Sequence, residues 1–350
     1  MELLLSSIPP LRFSNKKTLS CFDDLFHKAE GMRIASGYIS TDALTELKNI
    51  FEMNKKSYLE LIIGMHGFDG FTKSQYEAAK YLDDYLKENN AGGVKVTKAF
   101  RFHGKLYSFL KNDAPFAGII GSSNLNSIFD SQNTYESDLL LKEKSIVSEI
   151  DSFILALSEK ASVPLSEAEI RIIEDKNKLL EGHDGVEKMG KAELAEVLSN
   201  RSKTTFQIPV KSDDTPRSNL NVYFGTGRRN KKGVIKRRPW YEVELIVPKS
   251  ITKRRGYPKA GYPKKESIIT VITDDGWKFK CKISGQNSKN FRSADDLKIL
   301  GRWVKGRLEN SGVLKVGQPV TGEILKKYGR DNVELSATQN PFVWILNFGA

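Results

Sequence analysis

The chain has 350 residues, of which 39% are hydrophobic and 28% are charged, with a net charge of +12. This balance excludes a disordered tail, and no apolar run reaches the roughly 18 residues of a membrane-spanning helix. The start, Met1-Glu2-Leu3-Leu4-Leu5, lacks the basic residues and long apolar run of an export signal. Two cysteines, Cys21 and Cys281, far apart in sequence, suit a reducing compartment. We therefore expect a cytoplasmic protein.

The charge is distributed unevenly along the chain. Residues 1–200 carry 24 Lys and Arg against 30 Asp and Glu, a net charge of −6. Residues 201–350 carry 31 against 13, a net charge of +18. Such a basic C-terminal part indicates binding to nucleic acid or another polyanion, the alternative being a lysine-rich surface that only confers solubility.

Residues 19–160 alternate strand-like and helix-like segments, which is typical of an α/β layered domain. Apolar residues at helical spacing predict helices that are long enough to cover a sheet. The predicted strands are Met32–Tyr38, Tyr58–Met65, Val94–Phe109, Phe116–Ser122 and Glu136–Leu141, and the predicted helices are Thr41–Asn54, Thr72–Asn89 and Lys144–Lys160.

The pattern changes after Pro164. Ser166-Glu167-Ala168-Glu169 is a capping box that predicts a charged helix to Gly182, and Lys191–Ser199 is a second helical stretch. From Thr205 onward, short alternating runs separated by Gly, Pro, Asn and Asp predict a closed or nearly closed β-domain, with a hairpin over residues 268–284. The predicted domains are 1–161, a helical linker 162–204, and 205–350.

One group of residues in the first domain has the composition of a reactive site. His103 and Lys105 lie in a strand-like segment, where a two-residue period places both side chains on one face. Ser122 and Asn124 follow the next apolar strand, and Glu136 opens the strand after that. The other histidines, His27, His66 and His183, lack such neighbours, and we expect packing or hydrogen-bonding roles for them.

This ordered set resembles the signature of the phospholipase D superfamily, His-x-Lys followed by a Gly-Ser-x-Asn turn and a Glu. The chemistry explains each residue type. A neutral imidazole can form a covalent intermediate with a phosphodiester, and the ammonium of Lys105 and the amide of Asn124 can hold the phosphoryl oxygens as charge builds on them, with Ser122 in support. A carboxylate, Glu136, can fix the imidazole tautomer.

The superfamily uses two histidines, one as nucleophile and one as general acid, whereas this chain has a single His-x-Lys. The resemblance therefore implies a homodimer in which two copies of the motif meet across a twofold axis. The second proton carrier is then His103 of the other chain.

The basic C-terminal part interleaves Arg and Lys with Asn, Gln and Trp in its loops. Arg, Asn and Gln can read base edges bidentately in the major groove, whereas Lys mostly meets phosphates. A general basic surface is the alternative for any single residue. The candidate DNA-contacting residues are Arg217, Asn219, Arg228, Arg229, Arg237, Trp240, Gln286, Asn287, Lys289, Asn290 and Arg292.

A single-motif phospholipase D-like domain before a basic β-domain resembles the NgoFVII family of restriction endonucleases and its metal-independent relatives. The resemblance implies a bacterial, dimeric nuclease that cuts double-stranded DNA near a recognised site without a metal or other cofactor. It also implies a C-terminal pseudobarrel, similar to the plant B-three DNA-binding domain, that grips the major groove with two loops. We match arm 1 to residues 217–240 and arm 2 to residues 285–293. Some members work with a separate helicase or ATPase subunit, and the sequence leaves this open here.

Four other functions are compatible with parts of the sequence. A metal-dependent nuclease would need acidic ligands, for which the candidate is Glu174-Asp175-Lys176. A lipid phosphodiesterase would need an interfacial apolar patch or amphipathic helix, and the sequence contains neither. A non-specific nuclease or phosphodiesterase of the superfamily, or a DNA-binding protein with an inactive hydrolase domain, would share the same residues.

Overall fold

The computed structural model describes residues 1–7, 10–12, 18–54, 56–129, 134–173, 180–210, 219–229, 235–236, 238–261 and 266–349. The chain divides into two compact units, residues 1–175 and 176–350. Within the described ranges, no helix is both long and apolar enough to cross a membrane.

The first unit has the predicted α/β architecture, in which helices cover a mixed sheet. Its strands are β1 (Glu2–Leu5), β2 (Gly31–Ser36), β3 (Tyr58–Ile63), β4 (Phe71–Thr72), β5 (Gly92–Thr97), β6 (Lys105–Lys111), β7 (Ala114–Gly121), β8 (Ser137–Leu141), β9 (Ser162–Pro164) and β10 (Ile172–Ile173). Its helices are α1 (Thr18–Lys28), α2 (Thr41–Asn54), α3 (His66–Asp69), α4 (Lys73–Glu88), α5 (Leu125–Phe129) and α6 (Lys144–Ala161).

The main sheet has the order β1-β8-β7-β6-β2-β3-β5-β9. Strands β2, β3 and β5 are parallel, and the other neighbours are antiparallel. Successive side chains of β6 point to opposite faces. Leu106 joins a buried cluster with Val147, Ile150 and Ile154 of α6, whereas the ring of Tyr107 packs edge-on against Phe22 of α1. Helices therefore cover both faces.

Two predicted elements of this unit are wrong. The strand predicted over Val94–Phe109 is two strands, because residues 98–104 form a connection that includes His103. The helix predicted from Ser166 is also absent over its described part. Leu165–Glu167 is one 3₁₀ turn, and Ile172–Ile173 then pairs with β4. Ile172 and Ile173 pair with β4 instead, so tertiary pairing prevails over local propensity.

A polar network ties α6 to the sheet. Asp151 of α6 accepts two hydrogen bonds from Arg33 Nη1, at 2.9 and 2.8 Å, and one from Ser108 Oγ at 2.6 Å. Glu60 pairs with Lys95 at 3.3 Å and accepts a hydrogen bond from Ser158 of α6. Asp151 and Glu60 are buried, so loss of one member would leave the others desolvated and unpaired.

The second unit is built around another large sheet. Its strands are β11 (Val186–Lys188), β12 (Arg201–Pro209), β13 (Arg228–Arg229), β14 (Ile235–Lys236), β15 (Leu245–Ile246), β16 (Glu266–Thr273), β17 (Trp277–Ser284), β18 (Asn290–Ser293), β19 (Asn332–Thr338) and β20 (Val343–Asn347). Its helices are α7 (Lys191–Ser199), α8 (Lys249–Thr252), α9 (Ile299–Asn310) and α10 (Gly322–Tyr328).

This sheet runs in the order β12-β19-β20-β16-β17-β18-β15, with β11 added to β17. It is a curled sheet of the predicted pseudobarrel type, and the predicted hairpin is β16–β17. Helix α9 was not expected, because Gly301 and Gly306 interrupt its apolar pattern. Gly301 is required by packing, since a Cβ there would lie 1.8 Å from the carbonyl oxygen of Tyr241.

We expect Asp151→Ala to lower the free energy of unfolding of the first unit by about 3 kcal/mol, because it deprives the half-buried Arg33 and the buried Ser108 of a carboxylate partner. Far-UV circular dichroism during urea denaturation measures this change. All four tryptophans lie in the second unit, so their fluorescence provides an internal reference that should not shift. Lys80→Ala, which breaks an exposed ion pair with Asp84, should cost less than about 0.5 kcal/mol. A small effect of Asp151→Ala would contradict the structural role of the network.

Candidate active site

His103 and Lys105 are adjacent, as the sequence predicts. Lys105 Nζ lies 3.3 Å from each ring nitrogen of His103 and donates a hydrogen bond to the His103 carbonyl oxygen at 2.7 Å. The imidazole is exposed, whereas Lys105 is only 8% exposed. The reason differs from the predicted strand period, because β6 begins at Lys105 and His103 lies before it. Backbone hydrogen bonds hold this connection, from Phe102 N to Gly64 O at 3.1 Å and from Gly37 N to Gly104 O at 3.0 Å.

Glu136 provides the negative charge beside the buried ammonium. Burial lowers the pKa of Lys105 from its ordinary value of 10.5, and the nearby carboxylate of Glu136 opposes this shift. Glu136 is itself buried and accepts hydrogen bonds from the hydroxyls of Ser122 and Ser127, the latter at 2.6 Å. Ser6 Oγ accepts a hydrogen bond from the Glu136 backbone N at 2.9 Å. The pair is thus an ammonium and a carboxylate held in a largely desolvated position.

The predicted contact between Glu136 and the imidazole does not occur within one chain. Among the described residues, the partners of the Glu136 carboxylate are the two serine hydroxyls and, through space, Lys105. Ser122 therefore acts on the carboxylate, and it also accepts a hydrogen bond from Ser137 N at 2.9 Å.

Asn124 is oriented by the backbone of the strand-to-helix connection after β2. Its Oδ1 accepts a hydrogen bond from Tyr38 N at 3.1 Å. Because the amide oxygen is engaged, Nδ2 is the end of the side chain that can donate to a substrate oxygen. The same connection approaches His103, since the ring of Tyr38 packs edge-on against the imidazole with 5.7 Å between centroids.

Tyr38 is a site residue that the sequence analysis missed. Its hydroxyl donates to Asp69 Oδ2 at 3.1 Å, and Asp69 pairs with Arg101, two residues before His103. Burial and then the hydrogen bond to Asp69 raise the pKa of Tyr38. The hydrogen bond from Arg101 is the main cause that lowers the pKa of Asp69. The signal in the sequence was weak, because a tyrosine after an apolar strand is common.

Asp138 is a second missed residue, and it shapes the turn that carries Ser122 and Asn124. The carboxylate accepts hydrogen bonds from Ser123 Oγ at 2.6 Å and Ser123 N at 3.1 Å. Burial raises the pKa of Asp138, and these hydrogen bonds oppose the shift. Gly121 allows this approach, because a Cβ there would lie 2.2 Å from Asp138 Oδ1. The glycine of the turn is therefore a steric requirement.

The packing role predicted for His66 is confirmed. His66 Nε2 accepts from Ile39 N at 3.3 Å, and Nδ1 lies 2.9 Å from Gly70 O, which is consistent with a neutral ring protonated at Nδ1. Burial lowers the pKa of His66. His27 is exposed on α1, and His183 is half-buried.

The alternative metal site, which comprises Glu174, Asp175 and Lys176, lies outside the described residues. In the part of the chain that is described, no group of three or more His, Cys, Asp or Glu side chains is arranged to hold a metal ion.

The predicted DNA-contacting residues fall into three groups. Arg217 and Arg237 lie outside the described residues, and for Arg229 only the backbone is described. Asn219 and Trp240 are 0% and 1% exposed. The other candidates have at least part of their side chains at the surface: Arg228, Gln286, Asn287, Lys289, Asn290 and Arg292.

The prediction that Asn219 and Trp240 contact DNA is therefore wrong, because both side chains are buried. Asn219 Oδ1 accepts a hydrogen bond from Ile246 N at 2.8 Å, which joins arm 1 to β15. Trp240 Nε1 donates to Glu309 of α9 at 3.0 Å, and its ring covers the ammonium of Lys305. Both side chains are internal supports, and sequence could not separate them from exposed polar and aromatic loop residues.

Both parts of the chain match domain models of one family. Residues 15–171 match the NgoFVII restriction endonuclease N-terminal PLD domain, where PLD denotes phospholipase D. Residues 196–339 match the NgoFVII C-terminal B3-like DNA-binding domain. No curated protein matched the sequence.

Three solved structures are also similar to part of this chain. NucT from Helicobacter pylori is 16% identical, with a TM-score of 0.34 over 47% of this chain and 98% of that chain. The phospholipase D family member Nuc from Salmonella typhimurium is 10% identical, with a TM-score of 0.32 over 49% of this chain and 97% of that chain. A mutant of yeast tyrosyl-DNA phosphodiesterase is 13% identical, with a TM-score of 0.30 over 52% of this chain and 57% of that chain. The family assignment depends on the two domain models alone.

We expect NMR titration of the lysine side chains to show a pKa for Lys105 below 10.5, and Glu136→Gln to lower it further. The sign follows from the causes of the shift, because burial favours the neutral amine and the carboxylate favours the ammonium. Glu143→Gln, which removes an exposed carboxylate at the start of α6, should leave the value unchanged. An unchanged or increased pKa in Glu136→Gln would contradict the proposed coupling.

Proposed function

Because the chain belongs to the NgoFVII restriction endonuclease family, we propose that it is an endonuclease that hydrolyses double-stranded DNA at or near a specific sequence, without a metal, through a phosphohistidine. The observation that carries the proposal is the exposed imidazole of His103 with the buried ammonium of Lys105 at 3.3 Å from its ring nitrogens. A nucleophile open to solvent beside a fixed cation suits attack on an anionic phosphodiester.

The proposed reaction has two steps. A ring nitrogen of His103 attacks the scissile phosphorus, so a P–N bond forms as the bond from phosphorus to the 3′ oxygen breaks. His103 of a second chain donates a proton to that departing oxygen. Water then attacks the phosphohistidine, its proton passes to the second imidazole, and the P–N bond breaks to release the 5′ phosphate and the free histidine.

The neighbouring residues have roles that follow from their contacts. Lys105 and Asn124 Nδ2 hold the non-bridging oxygens as negative charge increases in the transition state. Ser122 acts by holding Glu136 through its hydroxyl. Since the Glu136 carboxylate does not contact the imidazole of its own chain, its proposed role in orienting an imidazole applies to the second chain's ring.

A homodimer is supported by an incompletely covered face of the first sheet. Leu3, Leu139, Ile120 and Leu106 are directly paired across β1, β8, β7 and β6, so they point to the same face. Leu106 is buried under α6, whereas Leu3 and Ile120 are 54% and 42% exposed. Within this row, Leu106 follows Lys105 in β6 and Ile120 lies two residues before Ser122. A second copy that covers the row would therefore approach the candidate site and complete the pair of histidines.

The second unit would supply DNA affinity. The first 200 residues carry a net charge of −6 and the remainder +18, so attraction to phosphate is concentrated in the C-terminal part. Gln286, Asn287 and Lys289 are exposed on one predicted arm, and they include side chains that can reach base edges.

Cleavage should continue in excess EDTA, because the proposed nucleophile and proton donor are both imidazoles. His103→Ala should lower the cleavage rate by about a thousandfold or more while DNA binding persists. His27→Ala is the matched control, since His27 is exposed on α1. Sequencing the DNA ends from digests with and without EDTA locates the cleavage site, and the fraction of DNA cut over time in the same digests gives the rate. Activity that is lost in EDTA and restored by Mg²⁺ would overturn the mechanism.

A purified heterodimer of one wild-type chain and one His103→Ala chain should be inactive, because a single composite site requires both imidazoles. Independent sites would instead leave the heterodimer with about half of the wild-type rate. Different affinity tags on the two chains allow the heterodimer to be isolated, and cleavage of a labelled duplex gives the rate. Half activity would disprove the composite site and leave the endonuclease assignment intact.

A further inference from the structure

Two buried or half-buried carboxylates lie among the arginines of the predicted DNA-binding arms. Glu242 accepts hydrogen bonds through Oε1 from Arg238 Nε at 2.9 Å, from Arg238 Nη2 at 2.7 Å, and from Arg228. Its side chain is 3% exposed. Both arginines belong to arm 1, so Glu242 holds together the two ends of that arm's basic segment.

Glu244 differs from Glu242 because its partners come from both arms. Glu244 Oε2 lies 3.8 Å from Arg238 Nη2 of arm 1, and Oε1 lies 3.7 Å from Arg292 Nη1 of arm 2. Each carboxylate oxygen therefore faces an arginine from a different arm. The Glu244 side chain is 16% exposed.

The backbone around Glu244 also connects the two arms. Glu244 forms a β-bridge with Asn219 of arm 1. The next two residues form β15, which pairs with Asn290 and Phe291 of arm 2. The segment that carries Glu244 therefore joins the two arms through the backbone.

Electrostatics argue against a role in DNA affinity. A carboxylate on a surface that meets phosphates weakens binding, and ion pairs as long as those of Glu244 contribute little to stability by themselves. The three arginines carry one positive charge more than the two carboxylates, so the cluster remains basic. Glu244 instead lies between two guanidinium groups, one from each arm.

We propose that Glu244 is a positioning residue that sets the spacing of the two arms, and so determines sequence selectivity without contacting DNA. This inference rests on the proposed function, because it requires that the arms bind DNA. A cluster fixed before binding lowers the cost of ordering the arms on the duplex. Loss of the link should therefore reduce binding to the recognised sequence more than binding to other DNA.

Glu244→Gln tests the inference in the full-length protein. The probes are a duplex carrying the sequence that the wild-type protein selects from a random library, and a scrambled duplex of equal length. The ratio of the two affinities should fall about tenfold, while affinity for the scrambled duplex rises because a negative charge has been removed. Glu187→Gln is the control with the same charge change, since Glu187 is exposed and pairs with Lys278 on β17. It should raise the scrambled-duplex affinity without altering the ratio.

The affinity ratio of the variant and sequence selection by the wild-type protein separate failure of this inference from failure of the proposed function. A ratio that is equal in Glu244→Gln and the wild type would show that Glu244 contributes charge alone and would overturn the inference. Wild-type protein that selects no sequence would overturn the proposed function, and the inference with it. Tryptophan fluorescence reports whether the variant is folded.

A double-mutant cycle in the wild-type background tests the link without the Glu244→Gln variant. The losses of specific affinity in Arg238→Gln and Arg292→Gln should be non-additive in the wild-type background, because the two side chains share one carboxylate. They should become additive when Glu244 is replaced. Additive losses in the wild-type background would contradict the link between the arms.

Discussion

The constraint on which the catalytic unit depends is a lysine ammonium that must stay charged while it is almost excluded from water. The position of Lys105 beside the imidazole is buried, and burial lowers the pKa of the ammonium because it favours the neutral amine. A single carboxylate, Glu136, offsets this cost, and that carboxylate must then be satisfied in turn. The hydroxyls of Ser122 and Ser127 and the anchor at Ser6 meet the requirement. Elements from distant parts of the chain therefore converge on one buried lysine and one buried carboxylate.

This arrangement explains why the site lies where β6, β7 and β8 are neighbours in the sheet. The antiparallel pairs bring Lys105, the turn after β7 and the start of β8 to the same edge. The turn then has to place Asn124 and Ser122 on either side of a buried serine, and Asp138 holds that serine. Packing on both faces of the sheet, with Asp151 and Arg33 under α6, keeps the edge rigid enough for these short contacts.

The sequence predicted most of this unit because its helices and strands have clear periods and its reactive residues occur in an ordered set. Contacts between residues that are far apart in the chain produce no such pattern in the sequence. Tyr38 contacts Asn124 and His103. The residue spacing in the sequence does not distinguish it from any other tyrosine that follows a strand. The roles of loop residues in the second unit were harder to predict. Asn and Trp can be buried, as Asn219 and Trp240 are, or exposed, and the sequence does not separate the two cases. Helix α9 was not predicted because a glycine such as Gly301 usually indicates the interruption of a helix. In the structure, Gly301 is needed because there is no room for a side chain beside Tyr241.

The same physical device recurs in the two units, with different consequences. In the first, the buried carboxylate of Glu136 offsets the burial of the Lys105 ammonium, which lies 3.3 Å from each ring nitrogen of His103. In the second, Glu242 and Glu244 lie beneath three arginines in a part of the chain with a net charge of +18. Positive charge alone attracts any DNA. Glu242 and Glu244 reduce that general attraction, and under the proposal above they act by placing a few guanidinium groups and not by strengthening binding.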